Sequence, residues 1–278
     1  MQPIYDFLNS TGFEFLQYDF MKNALLAVLL MSPLFGLMGT IVVNNRLAFF
    51  SDSIGHSALT GIALGLIAGM TSPVWSLIIF AIFYAVLLVL VKTKSLSSVD
   101  TTIGVFSSIA LALSIAIFST MGGINKYTSY LIGSLLSVTP SDLTMLLVIL
   151  VIVLVYWFGY LKNVFIVGFN TDIAKSRGID PIITEMTFTI LLAVVVALSI
   201  QWVGILLINS LLILPAATAR NIAKGLKQYT WYSIFLALFG GLIGLISSYY
   251  FETATGATIV LTLGIFYCLS FILRKLIN

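Results

Sequence analysis

Two residues in the segment from Ser51 to Gly61, S-D-S-I-G-H-S-A-L-T-G, are suited to holding a metal ion: Asp52 and His56, the latter the single histidine of 278 residues. At positions i and i+4 a carboxylate and an imidazole share one face of a helix, and both are ligands for Zn2+ and related divalent ions. Two ligands are too few for a tight site. A second copy of the chain, related by a two-fold axis beside this helix, would supply two Asp and two His, enough for four-coordination. The competing reading is structural: a packing helix, with Asp52 satisfied by Arg46 near the cytoplasmic surface and His56 as an incidental polar contact. Ser53, Ser57, Gly61, Gly65 and Gly69 recur every four residues, and small side chains at that interval let helix backbones approach.

Hydrolytic chemistry fits poorly. Ser57 follows His56 directly, so the two side chains diverge by about 100° on a helix and the imidazole cannot act as that serine's base. H-E-x-x-H is absent, and the lone histidine cannot build a metalloprotease zinc site within one copy. No catalytic residue is expected.

The elements that must position Asp52 and His56 follow from composition. The chain is 60% hydrophobic and 8% charged, with a mean hydropathy of +1.13, whereas soluble domains are about a quarter charged. Recurrent apolar runs near the length of about 20 residues needed to span a bilayer predict helices rather than the alternating segments of a barrel. The expected fold class is all-α: a polytopic transmembrane helical bundle of eight or nine spans, one domain over residues 1–278. The runs place spans near 21–43, 47–70, 73–91, 101–120, 143–160, 182–199, 203–219, 231–251 and 257–273. Residues 1–20 carry Asp6, Glu14 and Asp19 with no basic start, unlike a cleaved signal peptide, and are expected to form an amphipathic or extramembrane lead-in. If the second helix begins near Arg46, a rise of about 1.5 Å per residue puts His56 about 15 Å along it, near the middle of a core about 30 Å thick. A charge there costs about 2.5–3.5 kcal/mol and needs a reason.

Lys92 and Lys94, Lys162 to Arg177, Arg220 to Lys227, and Arg274 and Lys275 form basic clusters separated by even numbers of spans. The positive-inside rule turns them toward the cytoplasm, with the N-terminus outside and the C-terminus inside; Lys22 and Lys126 are the exceptions. Residues 127–139, between the fourth and fifth spans, are too short to cross and predict a half-helix or surface helix. Cys268 is alone, so an intrachain disulfide is excluded.

The longest polar connection is the segment 161–181, which leaves no room for a nucleotide-hydrolysing domain. Gly168 to Ser176 ends in Lys-Ser but lacks the second glycine and the spacing of a phosphate loop. In this segment Asn170 or Thr171 can cap a short helix, with Asp172 in the first turn, Lys175 and Arg177 in the last, Gly178 as a left-handed stop and Pro181 beyond. Such a helix is either a docking element or an ordinary surface helix. Farther on, Pro215 permits a kink, and Asn209 and Ser210 can hydrogen-bond to another helix or line a path. Asp100 and Asp142 are expected to cap the fourth and fifth helices, and Glu185 and Glu252 to be solvated near span ends.

In combination, these residues resemble the membrane permease subunit of ABC importers for zinc, manganese and iron. The resemblance runs through F-L-Q-Y-D-F-M-K-N-A-L-L-A from Phe15, S-D-S-I-G-H-S-A-L-T-G-I-A-L-G from Ser51, Y-L-I-G-S-L-L-S-V-T-P-S-D-L from Tyr130, Leu211 to Arg220, and Y-F-E-T-A-T-G-A-T-I-V-L from Tyr250. It implies a permease fold in the plasma membrane of a prokaryote, a metal path using Asp52 and His56, and a loop motif, here Asp172, Ala174 and Gly178, that docks on an ATPase. Ser134 departs from the pattern, since many relatives carry an acidic residue there. The implied partners are a second permease copy, a cytoplasmic ATP-binding subunit and an extracytoplasmic metal-binding protein; no nucleic acid and no permanently bound cofactor are implied. The transported ion is expected to be Zn2+, because I-N-S-L-L-I-L-P-A-A-T-A-R is similar to the zinc branch, with Mn2+ or Fe2+ as alternatives. A secondary transporter driven by an ion gradient is the rival reading, although the internal repeat usual in that class is not visible.

Overall fold

The computed structural model describes residues 5, 14–70, 73–121 and 133–277 of the chain. Its long elements are helices: α1 (Asp19–Asn44), α2 (Ala48–Ile67), α3 (Pro73–Lys94), α4 (Val99–Met121), α5 (Pro140–Phe169), the short α6 (Thr171–Ser176), α7 (Pro181–Val203), α8 (Ile205–Ile222), α9 (Leu226–Tyr250) and α10 (Thr255–Ile277). No strand occurs among the described residues. Eight of the helices are long and apolar enough to cross a membrane, and the chain is a multi-pass membrane protein. The expected span at 47–70 is α2, which is 20 residues long but is not one of the eight. Asp52, His56 and its serines dilute its apolarity, and it is shielded by protein instead: Ser51, Ser53, Ile54, Gly55 and every position from Ser57 to Ala63 are buried.

Two compact units divide the chain. One comprises Met1–Thr40, Ile132–Val155 and Trp202–Asn278; the other comprises Ile41–Leu131 and Tyr156–Gln201. In the first unit, α8, α9 and α10 pack on one another, and α1 joins them through polar bonds to its own carbonyls: Tyr229 Oη donates to Thr40 O at 3.2 Å and Ser233 Oγ to Gly36 O at 2.8 Å. In hydrocarbon, satisfied hydroxyls of this kind tie helices together where apolar attraction cannot. Lys22, an exception to the expected charge asymmetry, is 3% exposed and has its ammonium 2.8 Å from Asp19 Oδ1, one turn away.

In the second unit α2 is flanked by α3 and α4. Thr60 Oγ1 donates to Ala110 O at 2.6 Å, and Ser53 Oγ shares a 2.6 Å hydrogen bond with Tyr84 Oη. The small-residue face performs as its spacing predicts: a Cβ on Gly61 would lie 2.9 Å from Phe80 Cβ, and one on Gly65 would lie 2.1 Å from Ser76 Oγ. Gly69 does not belong to that face. It lies past the end of α2 at φ +68° with nothing within 4 Å of an added Cβ, so its role is the left-handed turn that stops the helix.

Helix ends depart from expectation in instructive ways. Ser98, rather than Asp100, caps α4, its Oγ accepting from Thr101 N at 3.2 Å, while Asp100 sits in the first turn, where a negative charge is favourable. Thr139 is the cap of α5, and Asp142 returns to it: Asp142 Oδ2 accepts from Thr139 N at 2.9 Å and Thr139 Oγ1 accepts from Asp142 N at 3.4 Å, a reciprocal capping box. Within the expected half-helix, Leu135–Ser137 form a single 3-10 turn; residues 127–132 lie outside the described residues, as does Lys126. The lead-in is described only at Tyr5 and from Glu14, where a 3-10 turn spans Glu14–Gln17 with Phe15 and Leu16 buried.

Candidate functional site

Helix α2 begins at Ala48 because Arg46, at φ +57°, turns the chain sharply after α1. His56 therefore lies eight residues, about 12 Å, into a helix about 30 Å long, slightly nearer its start than the sequence suggests. From Ser51 to Ala63 every residue is buried except Asp52 and His56. Within that stretch the helix is thus open only at its two ionisable side chains. His56 Nε2 stands 3.7 Å from Asp52 Oδ2, with the side chains 31% and 47% exposed respectively. That separation is longer than a hydrogen bond and leaves both atoms within reach of one ion at a bond length of about 2 Å. Ser53, next to Asp52, is locked by Tyr84, and Ser57 is folded onto Ile54 O at 2.8 Å; neighbouring hydroxyls are thereby used up in packing. Among the described residues no group of three or more His, Cys, Asp or Glu gathers to hold a metal, so in one copy the candidate ligands are this pair.

Asp172, Ala174 and Gly178 come together at α6. Asn170 is its cap, as one of the two expected candidates, with Oδ1 accepting from Asp172 N at 2.8 Å and Ile173 N at 3.2 Å. Ala174 is the one buried residue of the helix, whereas Asp172 and Gly178 are exposed. Gly178 has φ +73°, and Ile179 N donates to Ala174 O while Gly178 N donates to Lys175 O, both at 3.0 Å. This pair of bonds is the Schellman ending, which needs a left-handed residue at Gly178. Asp180 then caps α7 by accepting from Ile182 N at 2.8 Å and Ile183 N at 3.2 Å, with Pro181 at the first helical position, where its missing N–H costs nothing. A groove of about 550 Å³ opens beside α6, lined by Thr171, Lys175, Gly178, Ile179 and Asp180 among others. Asn170→Ala is expected to cost about 1 kcal/mol of local helix stability, seen as faster amide exchange across residues 171–176 with the rest of the chain unchanged.

Three features were not legible in the sequence. Helix α5 runs 30 residues to Phe169, nine residues past the expected edge at 160: an apolar run, Val164 to Val167, resumes beyond the polar Lys162 and Asn163. Its length of about 45 Å exceeds a hydrocarbon core of about 30 Å. Glu185 is not solvated: it pairs with Lys92, the side chains being 18% and 22% exposed. Ser210 Oγ bonds back to Leu206 O at 2.8 Å within its own helix, rather than to a neighbour.

The chain matches the family model "ABC 3 transport family" over residues 17–274. It is 29% identical over 261 residues to the high-affinity zinc uptake system membrane protein ZnuB of Haemophilus influenzae, covering 93% of this chain and 99% of that protein. It is equally 29% identical to the manganese import system permease protein ScaB of Streptococcus gordonii, over 93% of this chain and 94% of the relative. Among solved structures, PsaBC from Streptococcus pneumoniae in complex with Fab superposes with a TM-score of 0.79 at 29% identity, covering 98% of this chain and 95% of that one. With the match running through nearly every described helix, the chain belongs to the ABC 3 transport family and is a membrane-embedded transport component rather than an enzyme.

Proposed function

We propose that this chain is the ion-conducting permease of an ATP-driven importer for a divalent transition metal, with zinc as the favoured cargo, in the plasma membrane of a prokaryote. The observation that carries the reading is the exposure pattern of α2, buried from Ser51 to Ala63 except at Asp52 and His56, whose ligand atoms face each other at 3.7 Å. Carboxylate and imidazole suit zinc, manganese and iron alike, so ligand type alone does not choose among them; the zinc assignment rests on the similarity of Ile208 to Arg220 to the zinc branch. Two copies of the chain would join their half-sites into a set of two Asp and two His. His56 Nδ1 is buried without a hydrogen-bond partner among the described residues, whereas a histidine that retains its metal normally has the second nitrogen anchored by an acceptor. A loosely oriented imidazole fits an ion that must leave again.

The shape of α6 supports a docking role. Its rigid caps, exposed Asp172 and the adjoining groove suit a lever pressed by a cytoplasmic ATP-binding subunit, and an extracytoplasmic metal-binding protein would deliver the ion to the opposite face. In this reading the N-terminus is outside and the C-terminus inside. Reconstitution of the chain with its ATP-binding subunit in vesicles, followed by uptake of zinc and manganese in competition, tests the proposal. ATP-dependent zinc accumulation at the lower metal concentration is the expected result. Preference for manganese would reassign the cargo, and uptake driven by an ion gradient without the ATP-binding subunit would overturn the importer reading in favour of a secondary transporter.

A further inference from the structure

The candidate docking helix and the candidate ion ligands lie in the same compact unit, Ile41–Leu131 with Tyr156–Gln201, and two contacts between elements distant in sequence brace that unit at the α6 end. The first is at Gly168, two residues before the Asn170 cap. A Cβ at Gly168 would fall 1.8 Å from Asn45 Oδ1 and 2.5 Å from Asn45 Cγ, so the glycine is there to let the last turn of α5 seat on Asn45. Asn45 is held in place: Asn44 Nδ2 donates to its Oδ1 at 3.0 Å and its own Nδ2 donates to Val164 O at 3.4 Å. The corner is stiff, since Asn45 N bonds to Ile41 O and Leu47 N to Val42 O, both at 2.8 Å, and α2 starts three residues later. A push on α6 along α5 is therefore delivered to the root of the helix that carries Asp52 and His56.

The second brace is the Lys92–Glu185 ion pair. Glu185 lies in the opening turns of α7, which follows α6 with only residues 177–180 between, and Lys92 is in the last turn of α3. Both side chains are mostly shielded, so the attraction is screened less by salt than in a surface pair. Helix α3 in turn grips α2 beside the half-site through the Tyr84–Ser53 hydrogen bond. Both ends of the short helix are thus tied to α2, one through its root and the other through its flank.

We propose that Asn45, Gly168, Lys92 and Glu185 are positioning residues that transmit displacement of α6 to Asp52 and His56, coupling ATP turnover to ion movement. The proposal rests on the functional reading of α6 and of the half-site given above. It is tested on the reconstituted complex by measuring zinc uptake and phosphate release together, giving zinc moved per ATP. Lys92→Glu and Glu185→Lys are each expected to lower that ratio about threefold or more, within the range seen for mutations that modulate coupling, and the double exchange to restore it. Gly168→Ala, which drives a methyl into Asn45, and Asn45→Ala, which removes the bond to Val164 O, are each expected to lower it likewise. Glu185→Gln, nearly isosteric, serves where the charge reversals fail to fold and is expected to lower the ratio in the same direction. An unchanged ratio in every single variant overturns the proposal. So does a loss in the charge reversals that the double exchange fails to repair, or a loss of co-purification with the ATP-binding subunit at unchanged zinc per ATP, which would make these residues part of the docking contact. A wild-type complex that moves neither zinc nor manganese on ATP instead removes the transport reading on which the proposal stands.

Discussion

Replacement of His56 by alanine, or of Asp52 by alanine, is expected to lower ATP-driven zinc uptake at least about tenfold, the lower end of what loss of even an outer partner of a metal ligand produces. The reason is arithmetic on the half-site. If Nε2 and Oδ2 are the ligand atoms of each copy, as proposed, a single substitution removes half of them, and in a two-fold pair it would remove two of four at once. The buried contacts of α2 with its neighbours include those of Ser53, Thr60, Gly61 and Gly65, which both substitutions leave in place. Thermal unfolding in detergent is accordingly expected to change little while uptake collapses. Uptake at the wild-type rate in both variants, at equal expression, would remove these residues from the path.

The opposite pattern is expected for Gly39→Val. A Cβ at Gly39 would lie 2.0 Å from the carbonyl oxygen of Leu212, 3.0 Å from its carbon and 3.3 Å from Ala216 Cβ. The obstruction is helix backbone rather than a side-chain tip, so no rotamer change relieves it and α1 must part from α8. Overpacking costs about 1–3 kcal/mol where side chains can yield and more where they cannot, against a total stability of about 5–15 kcal/mol. A fall in the unfolding temperature, or loss of folded protein from detergent extracts, should be seen with Asp52 and His56 untouched. Gly104→Ala is the control: nothing lies within 4 Å of its added Cβ, and alanine is a better helix former than glycine by about 1 kcal/mol, so the variant should be at least as stable. Equal melting of Gly39→Val and wild type would show that the helix contact is looser than described.

The spans were legible because each is a local property. An apolar run of about 20 residues dictates a helix whatever surrounds it, and the observed helices start and stop within a few residues of the expected edges apart from α5, extended to Phe169. Caps were legible to the type of residue but not always to its identity. Asn170 and Gly178 fell where expected, yet Ser98 displaced Asp100, and Asp142 proved to be the third helical residue of a box opened by Thr139. Ser, Thr and Asp compete for the same orphan N–H groups, and spacing by itself does not separate them.

By itself the sequence determined that the protein is a helical membrane bundle, that Asp52 and His56 stand on one face, and that a short capped helix opens at Asn170 or Thr171. All three depend on interactions within a turn or two of the chain or on bulk apolarity. Only the tertiary structure decided that the face bearing Asp52 and His56 is the open one on an otherwise buried stretch of α2, that Glu185 meets Lys92 across 93 residues of sequence, and that Gly168 and Gly39 are the points where backbones or side chains close on one another. These pairings are settled by which helices pack together, and every apolar helix offers several faces that composition cannot rank. The geometry of the half-site was written locally; its exposure was a product of the fold.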